Sequence, residues 1–189
     1  MDINEIPHSQ LNEYARISIA FTVSSILEAR LLDKGLGGIQ LVEQPVPAYI
    51  KDYDMFDSPL SWSHEFDIKN WGFFLAQEGE KIIGGAALVW NTSDVNILDG
   101  RDDLSVLWDL RVAPEMRRCG IGKKLFEHAA AWSKSKNCVQ MKIETQNINV
   151  NACRFYASMG AELGDIRRFA YRHDVLLNYE VQLNWYLSL

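Results

Sequence analysis

A chain of 189 residues, 48% of them hydrophobic and 23% charged, has the size and composition of one globular domain with a full core rather than of a disordered protein. Its longest uncharged apolar run, residues 82–90, is too short to cross a bilayer, which argues against a membrane protein. The formal net charge of −6 argues against nucleic-acid binding and suits a small cationic partner, with one short basic cluster left for an anionic cofactor.

Neither the start of the chain nor its cysteines indicate secretion. The first ten residues, MDINEIPHSQ, are acidic and lack the apolar core of a signal peptide. Cys119, Cys138 and Cys153 are odd in number and lack C-x-x-C spacing, so we expect reduced thiols in the cytoplasm. The four histidines lack metal-ligand spacing, so we expect no metal.

The N-terminal part predicts a strand, a helix and a hairpin. Residues 2–6 have the pattern of a short strand, and Ser9 is a candidate N-cap for a helix through about residue 17. Residues 20–32 place their apolar side chains on one parity, which favours a strand over a helix. Residues 39–46 predict the returning strand of a hairpin, which the prolines of the QPVP run are expected to end.

Residues 48–70 predict an irregular segment in which aromatic residues and histidine are interspersed with acids. These residues are Tyr49, Tyr53, Phe56, Trp62, His64 and Phe66, with Asp52, Asp54, Asp57 and Glu65. Through cation–π and ionic contacts, such a segment would line a site for a cationic amine. A surface loop that its aromatic side chains pin to the core fits the same pattern, so both interpretations stay open.

A second hairpin and a central strand follow. Residues 71–77 and 81–90 flank Glu78-Gly79-Glu80, which is a strong hairpin signal. Residues 91–103 form a polar loop. Residues 104–112 then predict a strand that stops just before a proline, because proline cannot donate to a sheet ladder.

A glycine-bearing loop and a helix come directly after this strand. The loop is Arg117-Arg118-Cys119-Gly120-Ile121-Gly122, and apolar residues then recur with helical spacing at Ile121, Leu125, Ala129 and Trp132. The first turn of a helix leaves four N–H groups without intrahelical partners and carries partial positive charge. Four basic residues within eight positions and two glycines without Cβ atoms therefore predict a phosphate or pyrophosphate site.

Two common nucleotide motifs do not fit this loop. A Walker loop needs glycine where Arg117 stands and serine or threonine where Lys124 stands. A dinucleotide fingerprint needs glycine where Leu125 stands. The loop instead resembles the R/Q-x-x-G-x-G/A loop of the GNAT acetyltransferase superfamily, in which it holds the pyrophosphate of coenzyme A. The alternative is a glycine turn that begins an ordinary surface helix.

A second motif strengthens the resemblance. After a predicted strand at 139–145, a helix that Asn149 or Asn151 caps runs to Gly160, and it matches the GNAT pattern N-x-x-A-x-x-x-Y-x-x-x-G. The two motifs come in the family's order with one strand between them. Over residues 104–175, including Arg168-Phe169-Ala170-Tyr171, the chain resembles streptothricin acetyltransferases more closely.

The resemblance implies an α/β GNAT fold with a mixed, mostly antiparallel central sheet flanked by helices. We expect a single domain over 1–189, in which 1–70 is a variable acceptor-side portion and 104–160 the acetyl-CoA-binding core. A short strand begins at 162, and the last strand covers 179–187. That strand is apolar enough to join a partner's sheet in a homodimer, and an edge covered by solvent is equally compatible with the pattern.

The resemblance also implies acetyl-CoA-dependent transfer to a primary amine. Because a lysine-type amine has a pKa of about 10.4 and must lose a proton to attack, a base should assist directly or through water. A backbone N–H of the central strand, here Val112, would stabilise the developing oxyanion. Tyr156 occupies the family's tyrosine position and is the candidate general acid for the departing thiolate, since a phenol near pKa 10 stays protonated. A packing tyrosine is the alternative.

The candidate base is Asp109, with Glu144 on the neighbouring strand as the reserve and water as a third option. Relatives often carry adjacent carboxylates where this chain has Trp108-Asp109. Because the family's central strand often contains a bulge, parity does not assign Asp109 to a face of the sheet. An ion pair with Arg111 or another cation is the structural alternative for Asp109.

The implied cofactor contacts follow the end of the central strand, the glycine loop and the second helix. They are Leu110, Arg111, Val112, Arg117, Arg118, Cys119, Gly120, Ile121, Gly122, Lys123, Asn149, Asn151 and Tyr156. For the two asparagines, pure helix capping is the alternative. The expected function is N-acetylation of a small cationic amine, with streptothricin as the leading acceptor. The alternatives are a polyamine, lysine or a protein N-terminus as acceptor, or a non-catalytic acyl-CoA-binding or sensing protein.

Overall fold

The computed structural model describes residues 1–189 and contains nine strands and four α-helices. The strands are β1 (Asp2–Glu5), β2 (Phe21–Leu31), β3 (Ile39–Lys51), β4 (Gly72–Glu78), β5 (Lys81–Trp90), β6 (Leu104–Val112), β7 (Gln140–Gln146), β8 (Glu162–Arg167) and β9 (Gln182–Ser188). The helices are α1 (Leu11–Tyr14), α2 (Trp62–Glu65), α3 (Ile121–Ser135) and α4 (Val150–Ser158). None of these helices has both the length and the apolar character needed to span a membrane.

Seven of the strands form one mixed sheet in the order β1-β4-β5-β6-β7-β9-β8, and β2 and β3 form a separate two-stranded sheet. β6 and β7 run parallel, whereas β1–β4, β4–β5, β5–β6 and β8–β9 are antiparallel pairs. The predicted α/β architecture with a mixed, mostly antiparallel sheet is therefore confirmed. The predicted strand at 104–112 coincides with β6, and the hairpin around Gly79 is β4–β5.

By its backbone contacts the chain divides into two compact units, each built from separate stretches of sequence. Unit 1 comprises residues 1–20, 52–143 and 187–189, and unit 2 comprises residues 21–51 and 144–186. The single domain over 1–189 stays a prediction.

In unit 1, two adjacent glycines of β5 allow close packing on both faces of the sheet. A Cβ on Gly84 would lie 2.9 Å from Leu125 Cδ1 of α3, and a Cβ on Gly85 would lie 2.5 Å from Tyr14 Cε2. Helix α3 therefore lies directly over one face of β5, and the Tyr14 ring lies over the other. On the Tyr14 side, a buried aromatic and aliphatic cluster forms the core; its members include Leu11, Tyr14, Ile17, Trp62, Trp71, Phe73, Leu75, Val89 and Val106.

The β6 strand contains the bulge that the family resemblance predicted. Ala87 pairs with Asp109, and the next residue of β5, Leu88, pairs with Leu107, so Trp108 is the extra residue. A bulge shifts the alternation of side chains by one position and re-aims those that follow. Trp108 and Asp109 consequently face the same side of the sheet as the Tyr14 cluster.

The first predicted helix is wrong at both ends. The chain forms a short 3-10 turn over His8–Gln10 and then α1, with Pro7 rather than Ser9 at the first cap and no side-chain capping bond. After Tyr14 the N–H of Ile17 donates to the Tyr14 carbonyl at 3.1 Å, which is i→i+3 spacing. Tertiary packing overrides the helical pattern here, because Tyr14 and Ile17 are both buried in the core.

The predicted end of the hairpin in unit 2 is also wrong, since β3 continues past both prolines to Lys51. Ser25 pairs with Pro45 and Val23 pairs with Tyr49, so residues 46–48 stand opposite a single residue of β2. Proline is tolerated in a sheet at bulges and edges, where its missing N–H breaks no ladder bond. The two prolines therefore bend the ribbon without ending it.

Asn147 joins three segments of unit 2 through both its backbone and its side chain. Its Nδ2 donates to the Leu27 carbonyl at 2.9 Å, and its Oδ1 accepts from the Val181 N–H at 2.8 Å. Its own N–H donates to the Val181 carbonyl at 2.9 Å, and its carbonyl accepts from the Leu27 N–H at 2.8 Å. Because the residue is buried, each of these groups depends on a protein partner.

We expect Asn147→Ala to lower the free energy of unfolding by about 2–3 kcal/mol, because it leaves the partly buried Leu27 carbonyl and Val181 N–H without their side-chain partners. Urea denaturation at fixed pH measures this loss. Asn178→Ala, which removes the same group from an exposed position, is the matched control and should have almost no effect. Equal stability of the two variants would contradict the role given to Asn147.

Candidate active site

The loop before α3 is shaped by two residues with left-handed backbone conformation. Arg118 has φ of 66° and Gly120 has φ of 81°, a region that favours glycine. Gly120 is the N-cap of α3 and offers no side-chain cap, and the first helical bond runs from the Lys124 N–H to the Gly120 carbonyl at 3.2 Å. The N–H groups of residues 121–123 therefore have no intrahelical acceptors.

This cradle fits a pyrophosphate. Uncapped amides at the start of a helix and its dipole favour an anion, and two exposed cations, Arg118 and Lys123, lie beside them. Lys123 lies 3.8 Å from Glu127 in an exposed i,i+4 pair that water screens. The Cys119 thiol is exposed and donates within the loop, with Sγ 3.7 Å from the Arg117 carbonyl. Ile121 is buried and packs against Gly84 of β5.

Arg117 has an internal role that its place in the motif does not indicate. Its Nε donates to the Val112 carbonyl at 3.1 Å, and its Nη2 donates to the carbonyls of Ala20 and Ser18 at 2.8 and 3.3 Å. Burial lowers the pKa of Arg117. The guanidinium thus links the loop to the end of β6 and to residues 18–20. In the structure, Arg117 stabilises the conformation of the loop.

The pairing of β6 with β5 determines where the Val112 N–H points. The Ala113 N–H donates to the Ile83 carbonyl at 2.9 Å, and Val112 pairs with Gly84 at the next position. Residues opposite each other in an antiparallel ladder alternate between hydrogen-bonded and non-hydrogen-bonded pairs. The N–H of Val112 therefore points away from β5, as does that of Leu110 two residues earlier. Both are aimed as an oxyanion donor or a cofactor contact requires.

Arg111 is the centre of a buried ionic network in unit 1. Its Nε and Nη2 donate to the two oxygens of Asp109 at 2.9 and 2.6 Å, and its Nη2 and Nη1 donate to those of Asp54 at 3.0 and 3.2 Å. Its Nη1 also donates to the Ile17 carbonyl at 2.9 Å, and the Tyr14 hydroxyl donates to Asp109 Oδ1 at 2.6 Å. Burial raises the pKa of Tyr14 and the charge of Asp109 raises it further, so Tyr14 keeps its donor proton.

This network gives Asp109 the surroundings of an ion-pair partner. The Arg111 side chain is 0% exposed and that of Asp109 is 6% exposed. Burial is the largest single influence and lowers the pKa of Arg111, but Asp109, Tyr14 and Asp54 together raise that pKa above its ordinary value. The structure thus shows the alternative in which Asp109 pairs with Arg111. The guanidinium of Arg111 is engaged in this network, and its backbone pairs with Gly85 in the β5–β6 ladder. No geometric observation therefore supports the cofactor contact that was expected of Arg111.

A third carboxylate, that of Asp57, lies close to this network but has different hydrogen-bond partners. The indole N–H of Trp62 donates to its Oδ1 at 2.6 Å, and that of Trp108 donates to its Oδ2 at 3.0 Å. Burial raises the pKa of Asp57 to about 6; the Trp62 hydrogen bond opposes this rise and the negative charge of Asp109 adds to it. Asp57 is therefore mostly ionised at neutral pH.

In unit 2, α4 carries the second motif. Asn149 is its N-cap, and the Asn149 Oδ1 accepts from the Ala152 N–H at 3.2 Å, whereas Asn151 is exposed on the first turn. The structure therefore assigns the cap to Asn149. Tyr156 lies two turns along the helix, is 7% exposed, and has its ring 5.3 Å from that of Phe155 in an edge-on arrangement.

Glu144 accepts hydrogen bonds from three neutral side chains of unit 2. Tyr171 donates its hydroxyl to Oε1 in a short contact, Gln146 Nε2 also donates to Oε1 at 3.3 Å, and Gln182 Nε2 donates to Oε2 at 2.6 Å. Burial raises the pKa of Tyr171, and the negative charge of Glu144 raises it further. The phenol consequently remains a donor and orients the carboxylate.

Four side chains of these networks had no individual role in the sequence-based prediction: Tyr14, Asp54, Asp57 and Tyr171. Asp54 and Asp57 were predicted only as members of the acidic and aromatic segment 48–70. Tyr171 belongs to the run Arg168-Phe169-Ala170-Tyr171, which carries part of the closer family resemblance. Tyr14 falls within the helix predicted to end near residue 17, and no motif singled it out. Its partner, Asp109, is 95 residues away in sequence.

The fold and the cradle at α3 define an acyl-CoA-dependent transferase, and the comparisons agree. The chain belongs to the Acetyltransferase (GNAT) family, whose model matches residues 40–161. It is therefore an acetyl-CoA-dependent N-acetyltransferase with acetyl-CoA as cosubstrate, and the resemblance inferred from the two motifs is confirmed.

Three proteins are similar to the chain over nearly its full length. It is 29% identical over 188 residues to the streptothricin acetyltransferase of Escherichia coli, a match that covers 98% of this chain and 95% of that one. A protein assigned as a streptothricin acetyltransferase from Bacillus anthracis str. Ames, solved with acetyl coenzyme A, has a TM-score of 0.78 and 26% identity over 100% of this chain and 99% of that one. A nourseothricin acetyltransferase structure shares the fold, with a TM-score of 0.77 and 18% identity over 99% and 97% of the chains.

Proposed function

We propose that the enzyme acetylates a primary amine of a small cationic acceptor, and that this acceptor is streptothricin, which the transfer inactivates. The observation that carries this proposal is the similarity to the Escherichia coli streptothricin acetyltransferase over nearly the full length of both chains. An acidic chain with carboxylates set among aromatic rings in unit 1 supports a cationic acceptor. We infer a cytoplasmic enzyme from its reduced thiols.

The loop and the strand end of unit 1 would hold acetyl-CoA, which supplies an activated acetyl thioester. The amides of residues 121–123, with Arg118 and Lys123, would bind its pyrophosphate. The Val112 N–H would donate to the thioester oxygen as negative charge develops there, because it points away from the β5 ladder. In unit 2, Tyr156 would protonate the departing thiolate. Asn149, which caps α4, would also form a hydrogen bond with acetyl-CoA.

Of the two carboxylates considered as base, we propose Glu144 for proton removal from the acceptor amine. Asp109 is the weaker candidate, because both of its oxygens accept from the charged guanidinium of Arg111 and one accepts from Tyr14 as well. These charge-assisted hydrogen bonds stabilise the ionised carboxylate and so make it a poor proton acceptor. Glu144 is oriented by the Tyr171 phenol and by glutamine amides.

We expect Glu144→Gln to lower kcat/KM by about 10²-fold and to remove the acidic limb of the pH–rate profile, as removal of a general base does. Asp109→Asn should keep that limb and should instead lower the free energy of unfolding, because Asp109 is the buried partner of Arg111. Steady-state rates across a pH series distinguish the two variants. If both keep the limb, water takes the proton and Glu144 is not the base.

An acceptor panel tests the substrate assignment. Release of free CoA thiol is followed with streptothricin, spermidine, lysine and a peptide N-terminus at equal concentrations. We expect kcat/KM for streptothricin to exceed that for each other amine by at least about 10²-fold, the discrimination available to a site with buried polar contacts. A higher value for any other amine would assign the enzyme to that acceptor instead.

A further inference from the structure

Asp57 is a fixed anion without a cationic side chain as partner. Its two oxygens accept from the indole N–H groups of Trp62 and Trp108, and none of the ion pairs in the chain includes it. The neighbouring Asp54 and Asp109 share the single guanidinium of Arg111. Three carboxylates thus lie near one cation, and Asp57 is the one that no cationic side chain contacts.

The surroundings of Asp57 suit a bound cation. The Trp108 ring lies 5.2 Å from that of Trp71 and 5.3 Å from that of Phe66, measured between centroids, so aromatic rings stand next to the carboxylate that Trp108 holds. Aromatic faces attract ammonium groups most strongly where water is partly excluded. Asp57 and Trp108 are both only partly buried.

We propose that Asp57 binds a second positively charged group of the acceptor, apart from the amine that is acetylated, and so selects acceptors that carry two or more cations. The inference rests on the proposed function and adds to it a residue that determines specificity. The bound ammonium reduces the net negative charge of the three carboxylates. Trp62 and Trp108 fix the carboxylate in place, so little conformational freedom is lost on binding.

This role has a signature that a purely structural hydrogen-bond acceptor lacks. The titratable groups that face Asp57 or its network are Asp109, Glu65, Asp54, Arg111 and Tyr14. Since burial places the pKa of Asp57 at about 6, protonation below that pH removes the anion that binds the acceptor. The KM for streptothricin should therefore rise as pH falls through about 6, while the KM for acetyl-CoA does not follow it.

The test measures the pH dependence of KM in the full-length enzyme and in Asp57→Asn. We expect Asp57→Asn to raise the KM for streptothricin by about 10-fold or more at pH 7.5, the range for loss of a charge-assisted hydrogen bond, with little change in kcat. Its KM should no longer vary through pH 6. Asp67→Asn, which removes a charge from an exposed position in the same segment, is the matched control.

Each outcome decides the proposal. A wild-type KM for streptothricin that is flat through pH 6 overturns it without any variant, as does a loss of kcat at constant KM in Asp57→Asn, which would make Asp57 a proton acceptor. Calorimetric binding of streptothricin to the CoA-saturated enzyme separates the two proposals. Binding that Asp57→Asn weakens, without turnover, would refute the proposed function and retain the role of Asp57. Absence of binding would refute both.

Discussion

Tyr156→Phe should lower kcat by about 10²-fold or more while the affinity for acetyl-CoA stays unchanged. The phenol hydroxyl is the only group removed, and loss of a positioned general acid costs a factor of this size. The aromatic ring remains to fill its buried position on α4, so we expect the fold and the packing against Phe155 to persist. Steady-state kinetics with streptothricin and a separate acetyl-CoA titration give the two quantities.

The matched control is Tyr186→Phe, which removes a phenol hydroxyl that donates to Asp165 at 2.7 Å on the surface of β9. This variant should keep kcat. If Tyr156→Phe turns over at the wild-type rate, Tyr156 is a packing residue and the thiolate takes its proton from elsewhere. A parallel loss of acetyl-CoA affinity would instead show that the residue acts in cofactor binding.

Arg111→Met is expected to have the largest effect on stability, lowering the free energy of unfolding by about 3–5 kcal/mol. The change leaves the Asp109 carboxylate buried without its cation and removes the donors to Asp54 and to the Ile17 carbonyl. A buried charge stripped of its partner costs far more than the intact pair contributes. Denaturant unfolding at constant pH, followed by fluorescence and circular dichroism, measures the loss.

A double variant, Asp109→Leu with Arg111→Met, separates the cost of an unpaired charge from the value of the pair. Replacement of a buried ion pair by apolar side chains is often close to neutral, so the double variant should recover much of the stability that the single variant loses. If Arg111→Met loses less than about 1 kcal/mol, the guanidinium is not the buried partner of Asp109.

Elements with strong local signals could be predicted from the sequence. β6, the glycine loop and α3 follow from a strand that ends before proline, two glycines and an apolar stripe, all within about thirty residues of one another. The N-cap of α4 could likewise be predicted from neighbouring residues, as either Asn149 or Asn151. The structure identifies the cap as Asn149. The family assignment rested on these segments and is confirmed.

The partners of the β6 side chains could not be predicted, because long-range pairing decides them. A single bulge at Trp108 determines the face on which Asp109 lies. Arg111 binds Asp54, which lies 57 residues earlier in the sequence. The irregular segment 48–70 showed that acids and aromatics would be near one another, but its pattern has no period that would assign a partner. Its short helical turns instead place Asp57 between two tryptophans.

The most direct test of the account is to incubate the purified enzyme with acetyl-CoA and streptothricin and to quantify both products. We predict one free CoA thiol for each mass-detected monoacetyl streptothricin, with the acetyl group on a primary amine and no thiol release without the acceptor. Thiol release that is independent of any amine, or streptothricin recovered unmodified beside intact acetyl-CoA, would contradict the assignment.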